Sequence, residues 1–313
     1  MATRIALVRS VRQREERQQI GNMVSPFILG LKNVEKLCLI RLSEAARRAG
    51  QIQIALNSVM RAQHLDTVSS SEVSEEFANV LWLQREEKLA VQYLQDVLNK
   101  LGTDAREDAP STLRKASLLA RLGSWTSDAC LEKPAAIWAK YFLPAISLLD
   151  NIQGQNDVSQ STIYRECALF AERQFLTISK STDAARWRIY AERKRQEIED
   201  RKRELQQFGP SAVNKSRSDF LSEQQRKARQ LLDEDTQSFR KHDTLRDTFL
   251  QQAIEMHSRC LETSDKFDND SAIRFVSLWF SNFEEPSTFD TIRRGIERTP
   301  SRKFIFLAVS RMS

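Results

Sequence analysis

Glycine and proline are scarce in this chain, eight and seven among 313 residues. That scarcity argues against an all-β or loop-rich protein, because tight turns and strand ends draw on those two residues. Histidine is rarer still, three in all, and Cys38, Cys130, Cys167 and Cys260 are scattered, with no C-x-x-C pair and no histidine at ligand spacing. The pattern disfavours a metal site and a disulfide framework; the expectation is four buried free thiols in a reducing compartment. No apolar run approaches the ~20 residues a membrane span requires. The Arg-rich start, Met1 to Gln19, carries Glu15 and Glu16 and runs into further helical pattern, unlike a mitochondrial presequence. Neither sign of charge dominates: a net +6 with 29% charged residues is too mild for a dedicated nucleic-acid-binding domain.

What the chain does contain is helix former. Leu, Ala, Arg, Glu, Gln and Ser dominate, and the 41% apolar content is ample for a core. Apolar periodicity predicts helices over about 1–20, 26–49, 51–63, 72–85, 87–101, 111–129, 133–150 and 159–179. Polar breaks separate them at Asp66–Ser71, Thr103–Pro110 and Gly154–Asp157, and Gly50 ends the second helix.

A degraded repeat runs through this array. Ala55-x3-Val59-x2-Ala62 has Ser43 twelve positions upstream, Ala90-x3-Leu94-x2-Val97 has Ala78, and Ala135-x3-Ala139-x2-Phe142 has Gly123. Small residues at these offsets let two helices of a tetratricopeptide-type hairpin approach closely, and the first two units lie 35 residues apart. Such hairpins bury a face only by stacking. From Ser181 the texture changes. Thr182-Asp183 caps a long helix with the sparse stripe Trp187, Ala191, Ile198, Leu205, Phe208, broken at Gly209-Pro210. A second helix runs from about Ser218 to Ser264, with Leu221, Ala228, Leu232, Phe239, Phe249, Ala253, Met256 and Cys260 along its seam. The predicted fold is all-α: a tetratricopeptide-like solenoid with a long antiparallel coiled-coil hairpin. Its divisions are 1–180, a helical-repeat array; 181–264, the hairpin; and 265–313, C-terminal helices.

No catalytic, cofactor-binding or metal-ligating residue emerges. His242 sits beside Asp243 on the long helix and His257 one turn before Cys260, where a Cys–His nucleophile pair lacks an orienting third group. Asp233-Glu-Asp235 lacks the glycine and terminal glutamate of a calcium loop and reads as a solvated face. The clusters Arg193-Lys-Arg195 and Arg201-Lys-Arg203 alternate with acidic residues at a spacing that suits internal ion pairs. Ser159-Gln and Thr236-Gln are candidate phosphorylation dipeptides, the first in a loop and more accessible.

The C-terminal text is the most distinctive. Arg274-Phe-Val-Ser-Leu-Trp-Phe-Ser-Asn282 is followed by Pro300-Ser-Arg-Lys-Phe-Ile-Phe-Leu307. It resembles the FAT region of the ATM-type phosphatidylinositol 3-kinase-related protein kinases, closest in wording to their fungal telomere-maintenance members. Ala78 to Leu94 and Arg121 to Ile137 are similar to two further blocks of that region, with Thr126 and Ser127 standing where the family has Leu and Ala. Residues 164–176 resemble a fourth block through Ala168, Phe170, Ala171, Glu172 and Gln174.

The resemblance implies a scaffold and regulatory segment of a nuclear Ser/Thr-Gln-directed kinase acting at double-strand breaks and telomeres, with a histone among its substrates. Its implied partners are the kinase domain of the same parent chain, a second copy in a homodimer and, through the parent, a break-sensing nuclease complex. Neither membrane nor direct nucleic-acid contact is expected. The chain has no G-x-G-x-x-G loop, P-loop or D-F-G triplet. Cofactors are therefore none here, ATP and magnesium being expected only in a kinase domain beyond this segment. The chain then reads as a fragment, and Trp279, Phe280, Phe304 and Phe306 as packing groups at its edge. The rival reading is a free-standing helical-repeat adaptor.

Overall fold

The computed structural model describes residues 2–18, 26–65, 71–103, 109–152, 158–207, 212–263 and 269–281. The expected helices beyond 281, with Phe304 and Phe306, lie outside these residues, as do the side chains of Leu205, Leu221, Trp279 and Phe280. Every described element is helical. The chain divides into two compact units, Met1–Gln155 and Asn156–Ser313, each with its own core.

The first unit holds α1 (Ala2–Gln18), α2 (Pro26–Arg48), α3 (Ile52–Leu65), α4 (Ser71–Leu83), α5 (Glu87–Thr103) and α6 (Ala109–Asp128). It closes with α7 (Pro134–Ile137), a π-helical turn (Trp138–Phe142) and α8 (Leu143–Asp150). The helices pair as α2/α3, α4/α5 and α6 with α7–α8, the stacked hairpins the sequence predicts. Each hairpin turns in the same way. Gln51 N–H reaches Ala46 O at 2.8 Å, Glu86 N–H reaches Leu81 O at 3.1 Å, and Leu131 N–H reaches Thr126 O at 3.0 Å. With the inner bonds Gly50 to Arg47, Arg85 to Trp82 and Cys130 to Ser127, these are three Schellman caps. The residue at the turn takes φ of +72° at Gly50, +67° at Arg85 and +52° at Cys130. Only the first is glycine, so only the first was legible.

Close packing explains the small residues. Ser43, Val59, Ala62, Ala78, Ala90, Leu94 and Val97 are all fully buried, and Ala55 nearly so. The third unit departs from its expected register. Gly123 does meet Phe142, so closely that a Cβ there would lie 2.7 Å from the ring. Ala135 and Ala139, however, are exposed, and Ile137, Trp138, Tyr141, Phe142 and Ala145 fill the interface instead. The cause is Pro144, which has no N–H for Lys140 O and whose ring crowds that carbonyl. The backbone widens by one residue, Leu143 N–H bonding to Trp138 O, and the side chains rotate accordingly. The same chemistry corrects the polar break at 103–110: Ala109 and Pro110 already belong to the first turn of α6.

The second unit holds α9 (Val158–Ser179), α10 (Asp183–Gln207), α11 (Ala212–Thr263) and α12 (Asn269–Ser281). At 52 residues α11 is the longest element and begins about six residues earlier than its apolar pattern suggests. Its N-terminal part lies antiparallel to α10. Gln225 Nε2 donates to Ile198 O at 3.4 Å near one end, and Trp187 shares a cleft with Phe239 near the other. This seam is thin: Ala228 and Ile198 are buried, while Leu232 and Phe239 are half-covered. Towards its C-terminus α11 packs on α9 and α12. There Phe249, Leu250, Ala253, Ile254, Met256 and Cys260 are buried, with Phe170 meeting Phe249 edge-on at 6.1 Å.

Candidate functional site

Two polar networks sit inside this apolar framework, each built on a glutamate on a buried stripe. In the first unit Glu76 of α4 occupies a position between Val73 and Val80 and is 4% exposed. It accepts from Ser43 Oγ at 2.9 Å, from Arg47 Nε and Nη2 at 3.2 and 3.3 Å, and from Asn79 Nδ2 at 3.3 Å. Its neighbour Glu75 accepts from Arg114 Nη2 at 3.2 Å and Arg121 Nη1 at 2.7 Å. Adjacent acidic residues thus tie α4 to α2 on one side and to α6 on the other. The groove along these three helices, about 420 Å³, is lined by five arginines and four glutamates that largely neutralise one another. Glu35 of α2 is held likewise, by Arg9 Nε and Arg12 Nε of α1, both at 2.8 Å. Trp82 stacks on Trp125 at 4.6 Å with the rings nearly parallel, fixing α4 on α6.

In the second unit the centre is Glu172 of α9. Its Oε2 lies 3.2 Å from His257 Nε2 of α11, and its Oε1 takes Arg274 Nη1 of α12 at 3.1 Å. Asp270 joins Arg274 to Arg165, the latter at 2.7 Å. Burial alone would raise the Glu172 carboxyl, but the hydrogen bond from His257 and the charges of Arg274 and His257 outweigh it and hold it below the usual range. The Arg165 hydrogen bond does the same for Asp270, against its burial and with help from Arg274. An ionised carboxylate only accepts, so His257 Nε2 carries the hydrogen, and its buried Nδ1 has no hydrogen-bond partner among the described residues.

The nucleophile reading of His257 and Cys260 gains nothing from this geometry. His257 turns to Glu172, and Cys260 Sγ contacts Ser271 Oγ at 3.6 Å in a fully enclosed place. The thiols also depart from expectation: Cys167 and Cys260 are buried, Cys38 is intermediate and Cys130 is exposed on its hairpin turn. Burial pushes the Cys167 thiol far up, which keeps it protonated and inert. Among the described residues no cluster of His, Cys, Asp and Glu could hold a metal ion.

In the basic clusters of α10, four cations pair within the helix at i,i+3 rather than the expected i,i+4: Lys194–Glu197, Arg195–Glu192, Lys202–Glu199 and Arg203–Asp200. Thr236 lies mid-helix with its hydroxyl donated to Leu232 O at 2.7 Å, whereas Ser159 is exposed in the first turn of α9. The buried glutamates escaped the sequence reading, although a Glu three or four residues from buried neighbours on both sides, as Glu76 and Glu172 are, is a readable sign of a paired carboxylate.

Stacked hairpins laced by Arg–Glu pairs, and a long helical hairpin carried on a separate core, define an all-α helical-repeat protein. No family model matches the chain. It is 29% identical to serine/threonine-protein kinase TEL1 of Cryptococcus neoformans over 310 residues, 98% of this chain and 10% of the relative. It is 26% identical to serine-protein kinase ATM of Sus scrofa over 283 residues, 88% of the chain and 9% of that protein. A structure of the open conformation of CtTel1 superposes with a TM-score of 0.66 at 23% identity, over 97% of this chain and 11% of that one. The FAT and kinase domain structure of CtTel1 gives 0.64 at 22%, over 97% and 20%. The chain matches the FAT region of the Tel1/ATM-type kinases, spanning about a tenth of the length of the curated relatives it matches.

Proposed function

We propose that this chain is the scaffold and regulatory FAT segment of a serine/threonine kinase of double-strand-break checkpoint signalling and telomere length maintenance. The kinase is directed to Ser/Thr-Gln sites, a histone among them, and works in the nucleus at chromosome ends and breaks. The observation that carries this reading is alignment with TEL1 along 98% of the chain, hairpins and long helices together. In that parent the segment braces the kinase domain of the same chain and contributes to a homodimer, as a C2-symmetric dimer of CtTel1 supports by analogy. Recruitment by a break-sensing nuclease complex, and ATP with magnesium, belong to the parent and not to residues of this segment. The division into a repeat array at 1–180, a projecting hairpin at 181–264 and C-terminal helices at 265–313 is part of the same proposal.

The test is made in the organism that encodes the chain. The parent protein, immunoprecipitated through a tag, is expected to phosphorylate a Ser-Gln peptide. Replacing residues 183–243 by a short linker, which spares the part of α11 buried against α9 and α12, is expected to lower that activity and shorten telomeres. A protein that carries no kinase domain would favour the free-standing adaptor instead.

A further inference from the structure

The hairpin of α10 and α11 holds a cleft that no packing requirement explains. It has a volume of about 230 Å³ and is lined by Trp187, Ala191, Glu192 and Arg195 from α10 and by Asp235, Thr236 and Phe239 from α11. That is smaller than the roughly 300–1,000 Å³ of a pocket for a drug-sized ligand, and of the size that admits one long side chain. Two aromatic residues stand on opposite helices of it, both half-exposed.

Its charge is uneven. Glu192 and Arg195 pair with each other at 3.6 Å, and Thr236 spends its hydroxyl on Leu232 O. Asp235 remains: it has no ion pair or hydrogen bond among the described residues, and the cleft therefore carries one uncompensated negative charge beside two aromatic rings. Asp233 and Glu234, its companions in the acidic run, are exposed. The same stretch of α10 already uses cation–aromatic attraction, with Lys194 Nζ 5.9 Å from the centroid of the Tyr190 ring and Tyr190 edge-on to Trp187 at 6.1 Å.

We propose that this cleft is a receptor for a single cationic side chain, a lysine or arginine of a partner protein, inserted between Trp187 and Phe239 with its charge on Asp235. Aromatic faces attract a cation through their quadrupole, and a carboxylate lining the same cleft adds a charge partner for it. The thin seam of the hairpin follows from this role: a fully closed coiled-coil interface at 187 and 239 leaves no slot.

The test uses the full 313-residue chain and short blocked peptides differing at one position: lysine, trimethyl-lysine, arginine or norleucine. Binding is followed by tryptophan fluorescence and calorimetry. The three cationic peptides are expected to bind and the norleucine peptide to bind at least about tenfold more weakly, the decade that one cation–aromatic contact supplies. The order among the cationic three separates a lysine from an arginine partner. Asp235→Asn and Trp187→Ala are each expected to lose about tenfold, and Trp187→Phe to keep most of the affinity. Asp233→Asn is the control, altering the same acidic run away from the cleft, and helicity by circular dichroism checks each variant. Equal binding of norleucine, or an equal loss from Asp233→Asn and Asp235→Asn, overturns the proposal; so does the absence of binding by any cationic peptide at millimolar concentration.

Discussion

At the scale of single residues the chain carries two local conflicts, and each makes a prediction. Arg85 and Cys130 occupy the left-handed position that Gly50 occupies in the first hairpin. A side chain there costs about 1–2 kcal/mol, partly offset by the entropy that a glycine adds to the unfolded chain. Arg85→Gly and Cys130→Gly are each expected to stabilise the protein by about 0.5–1 kcal/mol, and Gly50→Ala to destabilise it by a similar amount, read as midpoint shifts in urea. The second conflict is contact distance. Gly123→Ala improves helix propensity by about 1 kcal/mol, yet its Cβ meets the Phe142 ring at 2.7 Å, and that ring is fully buried and has nowhere to go. Overpacking of this kind costs about 1–3 kcal/mol, so the net effect is destabilising. Adding Phe142→Leu is expected to recover part of the loss, a coupling visible in a double-mutant cycle.

At the scale of elements, the links between hairpins are polar as well as apolar. Glu76→Ala leaves the buried Ser43 hydroxyl and half-covered Arg47 without their acceptor on α4. The expected loss is about 1–3 kcal/mol. Glu76→Gln keeps an acceptor and is expected to lose less. Glu44→Ala, which removes only an exposed pair with Arg41, should change stability by no more than about 0.5 kcal/mol. Thermal or urea melts of the three variants decide it, and equal losses from Glu76→Ala and Glu44→Ala would falsify the bracing role. Helix existence was legible at this scale because the 3.6-residue period is strong in α3, α4 and α5. Helix interruption was not: Pro144 announces a fault but not its form, and the π turn that resolved it moved Ala135 and Ala139 out of the interface.

At the scale of the whole molecule, two units each close their own core, and the second closes around charge. Glu172 and Asp270 join α9, α11 and α12 through His257, Arg274 and Arg165. Both carboxyls are held below their ordinary values in the folded state. A depressed carboxyl stabilises the fold at pH above its unfolded value, and that contribution fades as pH falls through the folded value. The second unit is thus expected to lose stability as pH falls from about 5, just above the ordinary carboxyl values, through those values towards the depressed folded ones below about 4. Glu172→Gln should flatten that dependence while lowering stability at pH 7. Urea melts from pH 7 to pH 3 measure both, and an unchanged slope in the Gln variant counts against the network.

The sequence by itself determined that this protein is helical, where its hairpins fall, and that its text resembles the FAT region of one kinase family. Those properties are local: periodicity, breakers and short blocks of words survive without knowledge of what touches what. Tertiary structure alone decided which glutamates are buried and by which arginines they are held, and that Asp235, in the cleft with Trp187 and Phe239, has no hydrogen-bond or ion-pair partner among the described residues. Each of these depends on residues tens of positions apart meeting at a particular rotation of their helices. Rotation is set by packing the whole core, not by the pattern of any one segment.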